Sequence, residues 1–321
     1  MSTGNLGGDY RLKCVHRFDP VAKEWIPVRL LPPSQKKQPG NLPVIVTPSG
    51  SVLIYELIYD DVIARSSVWR YDSDSDQWER LTPLPVGRCE GPLVTNEKMY
   101  VLVSGDQSQC FMCYNELSKE WEAQATLPGK VLLSSAMTVG DNGCIYKFGG
   151  HDFSYKVDKK GRLSDAAYCF NPREKTIKTL PKMPSKRYQS CVAVSPDGLI
   201  YVIGGIGSKH KRKFKEFFVD CFEAYNPRTN QWQTKYAKQW AISSDFLRLI
   251  TFDGKLHLFN NTAMYYDATQ DSWIHFAGLT PLLGKCCGYG LVPQYVVRKW
   301  TQQPSSCVHL KCASGCSEDH W

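Results

Sequence analysis

The sequence predicts an all-β chain folded as a β-propeller of six four-stranded blades. Three observations carry that expectation: a hairpin signature recurs six times with one internal spacing, a second strand pair precedes the later copies, and the composition favours strands and turns. Aromatic residues make up 12% of the 321 residues, with 17 Tyr and 9 Trp beside 24 Gly and 19 Pro, a mixture suited to pleated strands and tight turns. Apolar residues at 42% and charged residues at 22% describe a globular chain and exclude a disordered one.

The hairpin is read from the stretches RFDPVAKEW, RYDSDSDQW, CYNELSKEW, CFNPREKTI, AYNPRTNQW and YYDATQDSW. Each holds an aromatic residue (Phe18, Tyr71, Tyr114, Phe170, Tyr225, Tyr266). Asp or Asn follows at once (Asp19, Asp72, Asn115, Asn171, Asn226, Asp267). Six residues beyond that comes a large side chain: Trp25, Trp78, Trp121, Ile177, Trp232 and Trp273. The Asx side chain bonds the local backbone and starts a turn, Pro presets φ in three copies, and the large residue sits on the returning strand. Six unrelated core tryptophans would not keep one offset. A period of roughly fifty residues marks a radially repeated unit.

Upstream of the later hairpins lies another pair of strands, clearest in AMTVGDNGCIYKFGG and SCVAVSPDGLIYVIGG, weaker in VIVTPSGSVLIYELIY, GPLVTNEKMYVLVSG and LRLITFDGKLHLFNN. Four strands per unit make a propeller blade. The first hairpin lacks such a pair. GKCCGYGLVPQYVVRKW after the last hairpin resembles GRCEGPLVTNEKMYVLV, so Gly288–Trp300 is expected to supply both missing strands and to close one blade from the two ends of the chain. Residues 1–9 then form a lead without regular structure, 10–300 the propeller, and 301–321 a Cys-containing tail without regular structure.

The chain has 13 Cys, no secretory apolar segment near Met1 and no apolar run able to span a bilayer. The cysteines therefore read as free thiols of a cytoplasmic protein, with a nuclear location as the alternative. Cys307, Cys312, Cys316 and His320 have zinc-ligand chemistry but lack a close Cys pair, so a tail with exposed thiols is favoured over a metal site. Cys110-x-x-Cys113 precedes a strand end, not a helix, and is not a redox motif. The seven histidines lie in no nucleophile, zinc-protease or phosphate-loop pattern. No catalytic residue, metal or cofactor is expected.

The paired glycines Gly149-Gly150 and Gly204-Gly205, then Tyr-Asp/Asn, then Trp six on, resemble the kelch motif, over about residues 10–300. The whole is similar to the kelch half of BTB-kelch proteins, substrate adaptors of cullin-3 ubiquitin ligases, without their BTB and BACK domains. The resemblance implies several things. The glycines end the second strand of a blade and let neighbouring backbones approach closely. Arg187 in SKRYQS stabilises a blade edge, with Tyr188 and Gln189 nearer the pocket. Arg88 and Glu90 of GRCEG form the matching pair, whereas WAISSD has no Arg and departs from the pattern, with Ser243 and Ser244 at the corresponding place.

The loops after the second strands are long, and rigid folds place recognition on such loops. The expected binding face therefore draws on Asp61, Arg65, Glu90, His151, Phe153, Tyr155, Tyr188, Gln189, Lys211, Arg212 and Lys213. The run Lys209–Lys215, with the net charge of +8, admits three readings: a nuclear-import or nucleic-acid patch, a solvated basic loop, or a surface for an acidic peptide, which its position favours. The expected partner is a protein or peptide substrate of acidic character, with no membrane and no nucleic acid. Cullin-3 would be reached only through a BTB domain. The expected role is substrate recognition in the ubiquitin-conjugation pathway; the alternative is a kelch scaffold for cytoskeletal or regulatory proteins with no ubiquitin role.

Overall fold

The computed structural model describes residues 12–19, 24–30, 44–46, 52–59, 64–72, 77–84, 88–152, 162–208, 216–219, 221–236, 248–252, 254–259, 263–275, 286–291 and 307–312. All regular elements among them are strands. The chain divides into two compact units, residues 1–84 with 284–321, and residues 85–283.

In the first unit, β1 (Leu12–Asp19) and β2 (Glu24–Leu30) form the first hairpin, and β3 (Val44–Val46), β4 (Val52–Tyr59), β5 (Ala64–Asp72) and β6 (Gln77–Leu81) a four-stranded antiparallel meander. The second unit holds four such sheets. They are β7 (Arg88–Thr95), β8 (Lys98–Ser104), β9 (Gln109–Asn115) and β10 (Glu120–Leu127); then β11 (Ala136–Val139), β12 (Ile145–Phe148), β15 (Ala167–Asn171) and β16 (Thr176–Thr179). Next come β17 (Cys191–Val194), β18 (Ile200–Ile203), β21 (Cys221–Asn226) and β22 (Gln231–Tyr236), and last β23 (Arg248–Phe252), β24 (Lys255–Phe259), β25 (Ala263–Asp267) and β26 (Ser272–His275). Two short hairpins interrupt the middle sheets: β13 (His151–Asp152) with β14 (Arg162–Leu163), and β19 (Ile206–Ser208) with β20 (Glu216–Phe218).

The fixed offset in the sequence has a geometric cause. In all six hairpins the aromatic residue and the large residue are direct cross-strand partners: Phe18 with Trp25, Tyr71 with Trp78, Tyr114 with Trp121, Phe170 with Ile177, Tyr225 with Trp232 and Tyr266 with Trp273. In the Tyr–Trp pairs described at side-chain level the ring centroids lie 5.1–5.3 Å apart. Such pairs add to strand pairing. Between the partners runs a turn whose first residue accepts backbone N–H groups. Asn115 Oδ1 accepts from Leu117, Asn171 from Arg173, Asn226 from Arg228 and Asp267 from Thr269, at 2.9–3.0 Å. The last turn residue is left-handed in each of these, with φ of 59° at Lys119, 56° at Lys175, 59° at Asn230 and 46° at Asp271.

In the second unit the first strands β7, β11, β17 and β23 follow one another as neighbours, and the core fills the spaces between successive sheets. Phe111 and Phe170 stack at 4.6 Å between the first two. Phe148, Val202 and Tyr225 pack between the second and third, and Tyr201, Phe222, Leu258 and Trp273 between the third and fourth. Second strands are therefore covered on both faces: Ile145–Phe148 and Ile200–Ile203 are buried throughout, which explains why they read as apolar runs rather than alternating ones. Trp232, by contrast, is only half-buried. It lies edge-on to Phe148 at 5.3 Å and donates its Nε1–H to the Pro181 carbonyl at 2.9 Å.

The structure differs from the sequence expectation at the ends of the chain. The four-stranded sheet with the order β2-β1-β28-β27 takes β27 from Cys286–Leu291 and β28 from Cys307–Cys312. The expected donor segment Gly288–Trp300 overlaps only β27, and the strand beside β1 comes from the residues read as a tail. Arg17 pairs with Val308 and His16 with His309. Residues 307–312 do alternate Val308 and Leu310 with His309 and Lys311, a period-two pattern. The cysteines at both ends of that segment had pointed to metal or tail instead.

Candidate functional site

The site is assembled at the end of the second unit where first strands begin and second strands finish. Each Gly-Gly pair is a pivot there. Gly149 and Gly150 have φ of 65° and 114°, Gly204 and Gly205 of 64° and 87°, all left-handed values that favour glycine. A Cβ on Gly149 would stand 2.3 Å from the Arg187 carbonyl oxygen, and one on Gly205 2.7 Å from that of Tyr188. The bare backbone lets the chain leave its sheet and rise into the short hairpins β13–β14 and β19–β20.

The lead-in segments to β11 and β17 lie against these pivots. Leu133 and His151 exchange both backbone hydrogen bonds, at 2.8 and 3.0 Å, and Tyr188 and Ile206 do the same at 2.9 and 3.2 Å. Gly150 N–H donates to Arg187 O at 2.9 Å, and Gln189 N–H to Ser134 O at 2.8 Å. Ser134 and Gln189 hold equivalent corners of successive sheets with φ of 54° and 53°, a conformation non-glycine residues seldom adopt. Strained backbone of this kind concentrates where function is built.

Charge is distributed unevenly beneath these corners. Arg187, fully buried, pairs with the buried Glu223 at 2.9 Å and donates to the carbonyls of Gly204 and Cys221. Glu90 on β7 is half-buried and accepts from both the backbone N–H and the hydroxyl of Ser135. Burial pushes its carboxyl up, opposed by the Lys147 charge and the Ser135 bonds. Lys147 on β12 is buried and burial pushes its amine down to about 8, opposed by Glu90. Asp152 accepts from Lys130 Nζ at 3.0 Å, and the His151 ring lies 5.1 Å from that of Tyr188.

Of the residues read from the sequence, the structure brings Glu90, His151, Tyr188 and Gln189 to this end of the second unit. Arg65 is on β5 in the other unit, paired with Ile58. Asp61, Phe153, Tyr155, Ser243, Ser244, Lys211, Arg212 and Lys213 lie outside the described residues. Arg88 is not the counterpart of Arg187. It is an exposed residue of β7 paired with Ser104, whereas Arg187 is buried ahead of β17. Leu102 and Ile203 hold equivalent core positions after Tyr100 and Tyr201, and their cross-strand partners are Glu90 and Cys191, which sets Arg88 level with Gln189 rather than with Arg187. A bulge between Glu90 and Leu93 displaces the alignment made by letter alone. The sequence reading missed Ser134, Ser135, Gln109 and Lys147; a lysine inside the apolar run Ile145–Phe148 was the available signal. Among the described residues no group of three or more His, Cys, Asp or Glu side chains is placed to hold a metal ion.

A chain of repeated four-stranded antiparallel sheets with Gly-Gly pivots and Asx turns is a repeat protein of the blade type. The family model described as "Kelch motif" matches residues 187–234, which run from Arg187 to β22. Kelch-like protein 36 of Bos taurus is 26% identical over 229 residues, 65% of this chain and 35% of the relative. Kelch repeat and BTB domain-containing protein 8 of Xenopus tropicalis is 27% identical over 273 residues, 74% of this chain and 41% of the relative. The chain thus spans well under half the length of these relatives. A solved structure titled "Structure of YjhT" superimposes with a TM-score of 0.58 at 11% identity, covering 78% of this chain and 87% of the other, a likeness of fold. The chain carries a kelch motif within repeated four-stranded antiparallel sheets and is similar over most of its length to kelch-repeat proteins.

Proposed function

We propose that the six four-stranded sheets are the blades of one six-bladed propeller and that its loop end captures a short segment of a protein substrate. The observation carrying this reading is the polar line Glu90–Ser135–Ser134–Gln189, which joins three successive sheets at the end where two raised hairpins stand. Hydroxyl, amide and carboxylate groups on strained, tightly bonded corners suit peptide recognition, because a rigid site orders little on binding. The basic run Lys209–Lys215 is flanked by β19 and β20, which supports a segment of acidic character. The relatives' names join kelch repeats to a BTB domain. On that basis the propeller is the substrate-recognition part of a cytoplasmic cullin-3 ubiquitin ligase adaptor, and ligase recruitment falls to a BTB domain.

Peptide display against the full chain tests this. Selected sequences are expected to be rich in Asp and Glu, with affinity that falls as salt rises. Exchanging Lys211, Arg212 and Lys213 together for Ser should slow association several-fold. Selection without acidic enrichment, together with an unchanged triple variant, would overturn the acidic reading. A captured partner whose ubiquitination and abundance do not respond to cullin-3 depletion would leave a scaffold in place of the adaptor.

A further inference from the structure

Lys147 occupies an unusual place. It is the third residue of β12, where β18 has Val202, and only 1% of its surface is exposed. A buried charge is costly unless it is used. Its one hydrogen-bond acceptor among the described residues is the Leu132 carbonyl, 3.2 Å from Nζ. That carbonyl also accepts from Gln109 Nε2 at 2.9 Å, while the Leu132 N–H donates to Gln109 Oε1 at 3.1 Å. Three positions further on, Glu90 holds Ser135 by its N–H and hydroxyl. The segment from Leu132 to Ser135 is thus clamped at both ends by side chains of neighbouring strands, and Ser134 between the clamps is left-handed and receives the Gln189 N–H. In the next sheet the lead-in segment carries Arg187 at the position of Leu132. There the buried cation comes from the segment itself; here it comes from the strand below.

We propose that Lys147 is a positioning residue for ligand capture: with Gln109 and Glu90 it fixes Leu132–Ser135, and so sets the paired corners at Ser134 and Gln189. This rests on the reading that these corners meet the ligand. The titratable groups facing the ammonium are Glu90 from β7 and Tyr168, its cross-strand partner on β15. The Tyr168 hydroxyl donates to the Pro128 carbonyl, and burial raises its phenol above the ordinary value.

Hydrogen exchange of the full chain, read by mass spectrometry and corrected for intrinsic base catalysis, tests the clamp without any ligand. Lys147→Met should speed exchange at Leu132 and Gln189 about tenfold at pH 7, the scale of a lost charge-assisted hydrogen bond. The amides of β9 and β10 should not change. Equal exchange of the two proteins at Gln189 overturns the proposal. Should Lys147→Met unfold the chain, Glu90→Gln decides, and exchange at Gln189 equal to that of the unaltered protein overturns the clamp. A fluorescent deca-glutamate peptide supplies the binding arm, with retention expected to fall about tenfold in Lys147→Met at pH 7. A protein that binds no deca-glutamate sinks the acidic reading while exchange still judges the clamp. Loosened corners with unchanged retention overturn the link to capture.

Discussion

Lys119→Asn should stabilise the protein, and the reason is visible by comparing sheets. The residue five beyond the hairpin aromatic is left-handed at Lys119, Lys175, Asn230 and Asp271. Asn230 Oδ1 accepts from the Tyr225 hydroxyl at 2.7 Å, and Asp271 accepts from the Tyr266 hydroxyl. Tyr114 is 4% exposed and its hydroxyl has no hydrogen-bond partner among the described residues, because lysine stands where the acceptor should be. Phe170, opposite Lys175 in the turn pattern, has no hydroxyl to satisfy. Supplying the acceptor should gain about 1 kcal/mol, and Asn tolerates left-handed φ better than Lys by roughly another half. Against this stands the exposed Lys119–Glu116 pair at 3.7 Å, worth roughly 0–1 kcal/mol. The net gain should be about 1 kcal/mol, or roughly 2–4 °C in Tm for a chain of this size, measured by denaturant and thermal unfolding. Tyr114→Phe alone should be near neutral, whereas Tyr225→Phe should cost about 1 kcal/mol. In the double variant the acceptor's share of the gain should vanish, a coupling of about 1 kcal/mol. If Tyr114→Phe costs as much as Tyr225→Phe and Lys119→Asn gains nothing, the hydroxyl is already satisfied and the reasoning fails.

Gly149→Ala should be far worse than Gly254→Ala. Both positions are left-handed, but the first Cβ meets Arg187 O at 2.3 Å and the second meets nothing within 4 Å, so Gly254→Ala should cost only about 1 kcal/mol, read by urea midpoints. Arg187→Met should destabilise by about 3–5 kcal/mol because it strands Glu223 in the interior, and Arg187→Met with Glu223→Leu should recover much of it. Lys147 should leave a signature in stability against pH. Its folded value, about 8, lies below the ordinary lysine value of 10.5, so between these values the unfolded chain binds more protons and stability rises with pH. Relative to Lys147→Met, the unaltered protein should gain on the order of 3 kcal/mol across that window; parallel curves would contradict a charged, buried amine at neutral pH. Ending the chain at Ser306 removes β28 and should abolish cooperative unfolding of the first unit, whereas circular dichroism of a chain with intact β28 should show it.

Much of this fold was legible because its repeat is a matter of register. The Tyr225–Trp232 offset is the length of one Asx turn plus the paired residues, and nothing from elsewhere in the chain is needed to set it. The glycine pivots were legible for the same local reason. What escaped depends on contacts distant in sequence. The short hairpins β13–β14 and β19–β20 looked like loops because only two or three residues pair on each side. Arg88 looked like Arg187 because a bulge is silent in a string of letters. Lys147 and Gln109 became site residues only when the lead-in segment of β11 was laid between two sheets. Cys307–Cys312 was hidden by its own cysteines.

The pairing of β1 with β28 sets a timetable for synthesis. Arg17 must wait for Val308, and at about 5–20 residues per second the ribosome needs roughly 15–60 s to supply it. All of the second unit, residues 85–283, is made in that interval and can fold beforehand. Throughout it β1 has one unpaired edge, the kind of surface on which strands of other chains add. Until β28 emerges the first hairpin keeps an adhesive edge, and a product that stops short of Cys307 would keep it for good.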